Sequence, residues 1–168
     1  MTTVILTPPG EPQDVPGVVL PVPETGDAVI KNTFFFPDVD PVRVRELMRL
    51  EHTVSDARLR HAIKTGMAET NAELYDYRAR QMAAGFRQLT EVPAETLDGE
   101  HRLVFHYLNA VTAMATATLY ERYRGVDATG KGDKKADSIT ATIDELWRDM
   151  RWSVSRLQDK PRCIVGQL

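Results

Sequence analysis

Along three separate stretches of the chain, apolar side chains recur every three or four residues, the spacing that gathers them on one face of an α-helix. Leu59, Ile63, Met67, Thr70, Leu74, Tyr77 and Gln81 form the first stripe. It predicts a helix capped by Thr53 or Ser55 and ending near Gly85. Ile139, Ile143, Leu146, Met150, Val154 and Leu157 form the last, on a helix from just after Asp133 to about Gln158, with Trp147 and Trp152 widening or leaving the stripe. Between them, Glu91-Val92-Pro93 and Asp98-Gly99 mark a connecting loop, and a helix follows from about Glu100 to Arg124. Its Ala110, Ala113, Ala115 and Ala117 leave little side chain to hold a neighbouring backbone away, so another helix can pack closely there. Upstream, Asp40-Pro41 supplies an N-cap followed by proline at the first helical position, opening a short helix to about Leu50. The expected fold is all-α: a bundle of three long helices plus one short N-terminal helix, spanning residues 34–160.

The two ends read differently. Six of the ten prolines fall within the first 23 residues, which forbids regular helix there. Residues 1–33 are therefore expected to be an extended arm. Val4, Ile5 and Leu6, then Val15, Val18, Val19, Leu20 and Val22, give it β-branched and apolar groups that seek a surface, either on its own domain or on a neighbouring subunit. Pro161 ends the last helix, and Arg162-Cys163-Ile164-Val165 makes residues 161–168 a short β-prone tail. A helical body with apolar arms at both ends suits subunits that clasp their neighbours.

Composition narrows the function classes. With 42% hydrophobic and 27% charged residues the chain resembles an ordinary soluble domain. It carries no apolar run near the roughly 20 residues a bilayer demands and no secretory signal pattern, so synthesis in the cytosol is expected, with no membrane partner. A net charge of -3 argues against a protein that wraps nucleic acid tightly, though a ring around DNA would need no large positive charge. The single Cys163 excludes an internal disulfide and a Cys-x-x-Cys metal site. His52, His61, His101 and His106 make no ligand pair at metal-binding spacing.

No catalytic constellation stands out either. Gly125 to Lys131 matches the first seven positions of a phosphate-binding loop, but Gly132 replaces the magnesium-holding Ser or Thr, and the segment follows a helix rather than a strand. It reads better as a hairpin between two helices. Neither a nucleophile elbow nor a glycine-rich dinucleotide fingerprint occurs, and Cys163 has no fixed base nearby in sequence. No enzyme activity, cofactor or metal is expected.

Beyond these physical readings, the chain resembles a known family. Phe34-Phe35-Phe36-Pro37-Asp38-Val39-Asp40, Met48-Arg49-Leu50 and Thr53-Val54-Ser55 before Arg58-Leu59 carry the resemblance at the start. Asn71-Ala72-Glu73-Leu74, Val92-Pro93-Ala94, Glu121-Arg122-Tyr123-Arg124, Asp127, Thr129, Gly130, Lys134-Lys135-Ala136-Asp137 and Arg148-Asp149-x-Arg151-Trp152 continue it in order. From about residue 30 to the C-terminus this pattern resembles the head completion/stabilisation proteins (gpL family) of contractile-tailed temperate bacteriophages. The resemblance implies a structural virion protein at the head-tail junction: an adaptor, expected as a ring of twelve, that joins the portal after DNA packaging, retains the genome and offers the tail its attachment surface. Its implied partners are the portal protein, copies of itself and a tail-proximal connector or tail-terminator protein, with packaged DNA nearby but not specifically bound. The alternative is a cytosolic helical protein-binding module without a virion role.

Three groups of residues are candidate contacts. Phe34, Phe35, Phe36 and Pro37 either anchor an entering arm at an interface or close one end of the bundle's core, since aromatic rings beside a proline turn serve both purposes. Arg122, Arg124, Lys131, Lys134 and Lys135, interrupted by Asp127, Asp133 and Asp137, either face a neighbour or DNA phosphates or are simply solvated. In the tail, Arg162, Ile164 and Val165 are expected to reach toward the portal.

Overall fold

The computed structural model describes residues 28–48, 54–124 and 133–160. Helix α1 (Pro41–Leu47) starts as expected: Asp40 is extended, and its Oδ1 accepts the Val42 N–H at 2.9 Å. Helix α2 (Asp56–Glu73) has Ser55 at its N-cap position without a side-chain cap bond. The single helix expected to run to Gly85 is two. Leu74, with φ -93° and ψ 10°, separates α2 from α3 (Tyr75–Ala83), although Thr70, Leu74 and Tyr77 stay buried across the break. The stripe was legible, but no proline or glycine announces the bend. Gly85 ends α3 at a φ of 100°, a conformation open to glycine.

A short 3₁₀ turn (Leu89–Glu91) leads into a feature read in the sequence only as loop. Strands β1 (Thr96–Leu97) and β2 (Glu100–His101) pair antiparallel, Thr96 opposite His101 and Leu97 opposite Glu100. Asp98 and Gly99 turn the hairpin with φ of 51° and 77°, both left-handed as a two-residue primed turn requires. Helix α4 (Arg102–Arg124) begins directly after β2, and α5 (Asp133–Leu157) returns antiparallel along it.

Helix α4 is the centre of the bundle. Leu103, Tyr107, Ala110, Val111, Ala113, Ala115, Ala117 and Leu119 are all buried, packed between α2 on one side and α5 on the other. From α5, Ile143, Met150, Val154 and Leu157 enter the interior, while Leu146 and Trp147 lie half-buried against it. The small-residue face does permit close approach, and its counterpart is Gly66 of α2: a Cβ there would stand 2.9 Å from the Val111 carbonyl oxygen. Two polar links fix α5 on α4. Asn109 Nδ2 donates to Ser153 Oγ at 2.7 Å, and Trp147 Nε1 donates to Glu121 Oε1 at 2.9 Å.

Candidate interaction surface

The loop between Ile30 and Val39 exposes the ring of Phe34, and its shape follows from local devices. Ile30 and Val39 exchange both backbone hydrogen bonds, at 2.8 and 3.0 Å, closing the loop at its base. Asp38 then braces the inside: Oδ1 accepts the Asn32 N–H at 2.9 Å and Oδ2 pairs with Lys31 Nζ at 2.7 Å. The Lys31 hydrogen bond and the Asn32 N–H together hold the Asp38 carboxyl below its usual range. Among the described residues, packing against the core begins at Ile30, four residues before Phe34.

The loop is locked to the bundle by a closed ring of hydrogen bonds. Asn32 Nδ2 donates to the Tyr107 hydroxyl at 2.7 Å, the hydroxyl donates to Asn71 Oδ1 at 2.7 Å, and Asn71 Nδ2 donates back to Asn32 Oδ1 at 2.9 Å. Asn32 Nδ2 also reaches the Pro37 carbonyl at 2.8 Å. Loop, α2 and α4 are joined in one part-buried network whose members satisfy one another. Burial pushes the Tyr107 hydroxyl well above the ordinary tyrosine range, so it stays protonated and able to donate. Phe36 stacks on the same ring, with centroids 4.8 Å apart and planes 11° from parallel.

This geometry separates the three phenylalanines. Phe35 and Phe36 are 1% and 4% exposed, edge to face with each other, and the Phe35 carbonyl accepts the Leu89 N–H at 2.9 Å. They close the core, the second of the two roles the sequence allowed, because Tyr107 and the 3₁₀ turn provide the surfaces that cover them. Their side chains are not available as interface anchors in the folded chain. Phe34 is 68% exposed, and with the half-buried Pro37 it lines a shallow cleft shared with Gln88 and Thr90.

The candidate cations fall at the end of the molecule where α4 finishes and α5 begins. Arg122 is exposed on the last turn of α4; Arg124 is the final residue of that helix, and Lys134 and Lys135 are in the first turn of α5. Lys131, with the phosphate-loop-like Gly125 to Lys131 segment, lies outside the described residues. So do Arg162, Ile164 and Val165. The chain order of the two helices brings Arg122, Arg124, Lys134 and Lys135 to one end.

A second surface had no sequence signature. Helix α1 stands off α4, leaving a groove of about 370 Å³ walled by Val44, Leu47 and Met48 and floored by Phe105, Leu108 and Thr112. Leu47 is 62% exposed and Phe105 40%. Both belong to helices whose other faces supply core residues, Val44 from α1 and Leu103, Tyr107 and Val111 from α4.

Among the described residues, no group of three or more His, Cys, Asp and Glu side chains is placed to hold a metal ion, and no helix is long and apolar enough to cross a membrane. His101 Nε2 lies 3.0 Å from the Val92 carbonyl and serves to pin the hairpin.

Comparison with known proteins gives two matches. Residues 30–168 match the family described as phage head completion protein (GPL). The head completion/stabilization protein of Escherichia phage P2 is 70% identical over 151 residues, covering 90% of this chain and 89% of that protein. No solved structure matches the chain.

Proposed function

The chain belongs to the phage head completion protein family, and from that premise we propose that it acts at the head-tail junction of a contractile-tailed phage as a connector adaptor. The family is one of structural head proteins rather than enzymes. In this reading, copies of the chain form a ring, of twelve as the resemblance implies, beneath the portal once DNA is packaged. The ring retains the genome and presents the surface to which a tail-proximal connector or tail-terminator protein binds. DNA passes nearby without being specifically held, in keeping with a net charge of -3. The chain is made in the host cytoplasm and resides in the virion.

The observation that carries this reading is the 70% identity to a head completion/stabilization protein across nearly the full length of both chains. The fold gives it a physical form. A rigid bundle braced on α4 presents Phe34 from a locked loop at one place and a set of basic residues at the α4–α5 end at another. Two different patches on one subunit are what a head-to-tail ring uses, since each copy must offer its neighbour complementary, not identical, surfaces. Phe34 and Pro37 are the proposed aromatic contact; Arg122, Arg124, Lys131, Lys134 and Lys135 the proposed basic one; Arg162, Ile164 and Val165 the proposed reach toward the portal.

The decisive measurement is the mass of the purified protein in solution, alone, then mixed with portal rings, then with filled tailless heads. Monomer that becomes a stoichiometric ring on the portal supports the adaptor. A small stable oligomer that ignores portal and heads rejects it, and leaves a helical binding module without a virion role.

A further inference from the structure

The groove between α1 and α4 does not stop at Phe105. On the far side of that ring a second hollow of about 220 Å³ opens between α4 and α5, lined by His106, Asp149, Trp152, Ser153 and Arg156, and the two share Phe105 and Asn109. Together they form a trough crossing the outer side of α4. Its length suits an extended peptide better than a single inserted side chain; the α1–α4 half is mainly apolar, with Val44, Leu47, Met48, Phe105 and Leu108, while the α4–α5 half sets Trp152 among polar and charged groups.

We propose that this trough is the docking site for residues 15–23 of the chain's own N-terminal arm. Three observations converge on that occupant. Twenty-seven residues precede Ala28, and the chain they belong to enters the body beside the trough: Ile30 pairs with Val39, and Asp38, Val39 and Asp40 form one of its walls. The reach is ample. Ten residues back from Ile30 an extended chain covers up to about 35 Å, against a radius of gyration of about 14 Å for a domain of this size. The chemistry also matches. From Val15 to Pro23 there is no charged residue, and Val15, Val18, Val19, Leu20 and Val22 are interspersed with Pro16, Pro21 and Pro23. Proline-rich segments hold an extended conformation before binding and lose little entropy on docking to aromatic-lined grooves. Phe105 and Trp152 supply such a lining. The trough thereby gains cover for the exposed faces of Leu47 and Phe105, and the arm gains the surface its apolar residues require.

The proposal is independent of the virion role and is tested on the full-length protein alone. In a Cys163→Ser background, Val19→Cys is combined with Leu47→Cys at the trough or with Met82→Cys, an exposed position at the end of α3. Under mild oxidation, the Val19–Leu47 pair is expected to form an intramolecular disulfide at least about tenfold faster than the Val19–Met82 pair, the gain in effective concentration that docking confers. Adding Phe105→Glu should erase that difference while far-ultraviolet circular dichroism stays unchanged. Equal rates for the two pairs overturn the proposal. Disulfides formed only between chains overturn it too, and assign the trough to the arm of a second copy.

Discussion

Gly66 of α2 and Val111 of α4 meet backbone to backbone: a methyl group on Gly66 would stand 2.9 Å from the Val111 carbonyl oxygen, closer than carbon and oxygen tolerate. The obstacle is main chain inside a helix, so it cannot rotate aside. Gly66→Ala removes a helix-interior glycine, a gain of about 1 kcal/mol, but forces two packed helices apart, at a cost of about 1–3 kcal/mol. The expected result is a net loss of up to about 2 kcal/mol, read as a lower urea midpoint with an unchanged slope. A stabilised variant would mean that α2 can slide on α4.

The hydrogen-bonded ring of Asn32, Asn71 and Tyr107 is expected to behave as a unit. Tyr107→Phe keeps the stack on Phe36 but leaves both amides short of a partner in a part-buried site, at a cost of about 1–3 kcal/mol. Asn71→Ala should cost a similar amount, and the double variant less than the sum of the two, with a coupling of about 0.5–3 kcal/mol. Additive losses in a double-mutant cycle would contradict a closed network.

The same hydroxyl sets an alkaline limit on stability. Burial raises the Tyr107 pKa in the folded state, opposed weakly by its hydrogen bond to Asn32. Below the unfolded value of about 10 its contribution is fully present. As pH rises past that value the unfolded chain releases the proton while the folded chain keeps it, so stability falls by up to about 1.4 kcal/mol per pH unit. Urea unfolding between pH 8 and pH 11 should show this slope in the wild type and a shallower one in Tyr107→Phe, where Tyr77, also raised by burial, accounts for part of what is left.

Much of this architecture is written in local sequence. The cap at Asp40, the small-residue face of α4 and the stripes of α2 and α5 are set by neighbours three or four positions away, and they are found where that spacing puts them, Ile139 lying outside the described side chains. What escaped notice depends on residues far apart in the chain. Asn32 and Asn71 look like surface asparagines until the fold brings Tyr107, 75 and 36 residues further on, between them. The bend at Leu74 has no breaker residue, and Leu47 and Phe105 form one groove only because α1 crosses α4. The Asp98-Gly99 hairpin was within reach: that dipeptide is a strong two-residue turn signal, and the short flanking pairs concealed the strands. At Phe34-Phe35-Phe36 the residue types could not say which ring faces outward. That depended on the loop closing between Ile30 and Val39.

That division of the phenylalanines makes the sharpest test of the assembly reading. Phe35→Ser empties a fully enclosed site beside Phe36 and Leu89 and adds a hydroxyl there, so the isolated protein should lose about 3–5 kcal/mol, as large-to-small changes of a buried phenylalanine do. Phe34→Ser touches a ring that solvent already surrounds, and stability should stay within about 0.5 kcal/mol of wild type. If Phe34 is an interface anchor, that variant folds, melts normally and fails to form rings on the portal, because a large aromatic side chain carries much of the energy where it is buried between subunits. Calorimetry of the isolated variants and the mass of their portal complexes read the two effects separately. A Phe34→Ser protein that still assembles at wild-type concentration would remove the loop from the interface and leave the basic α4–α5 end to carry it.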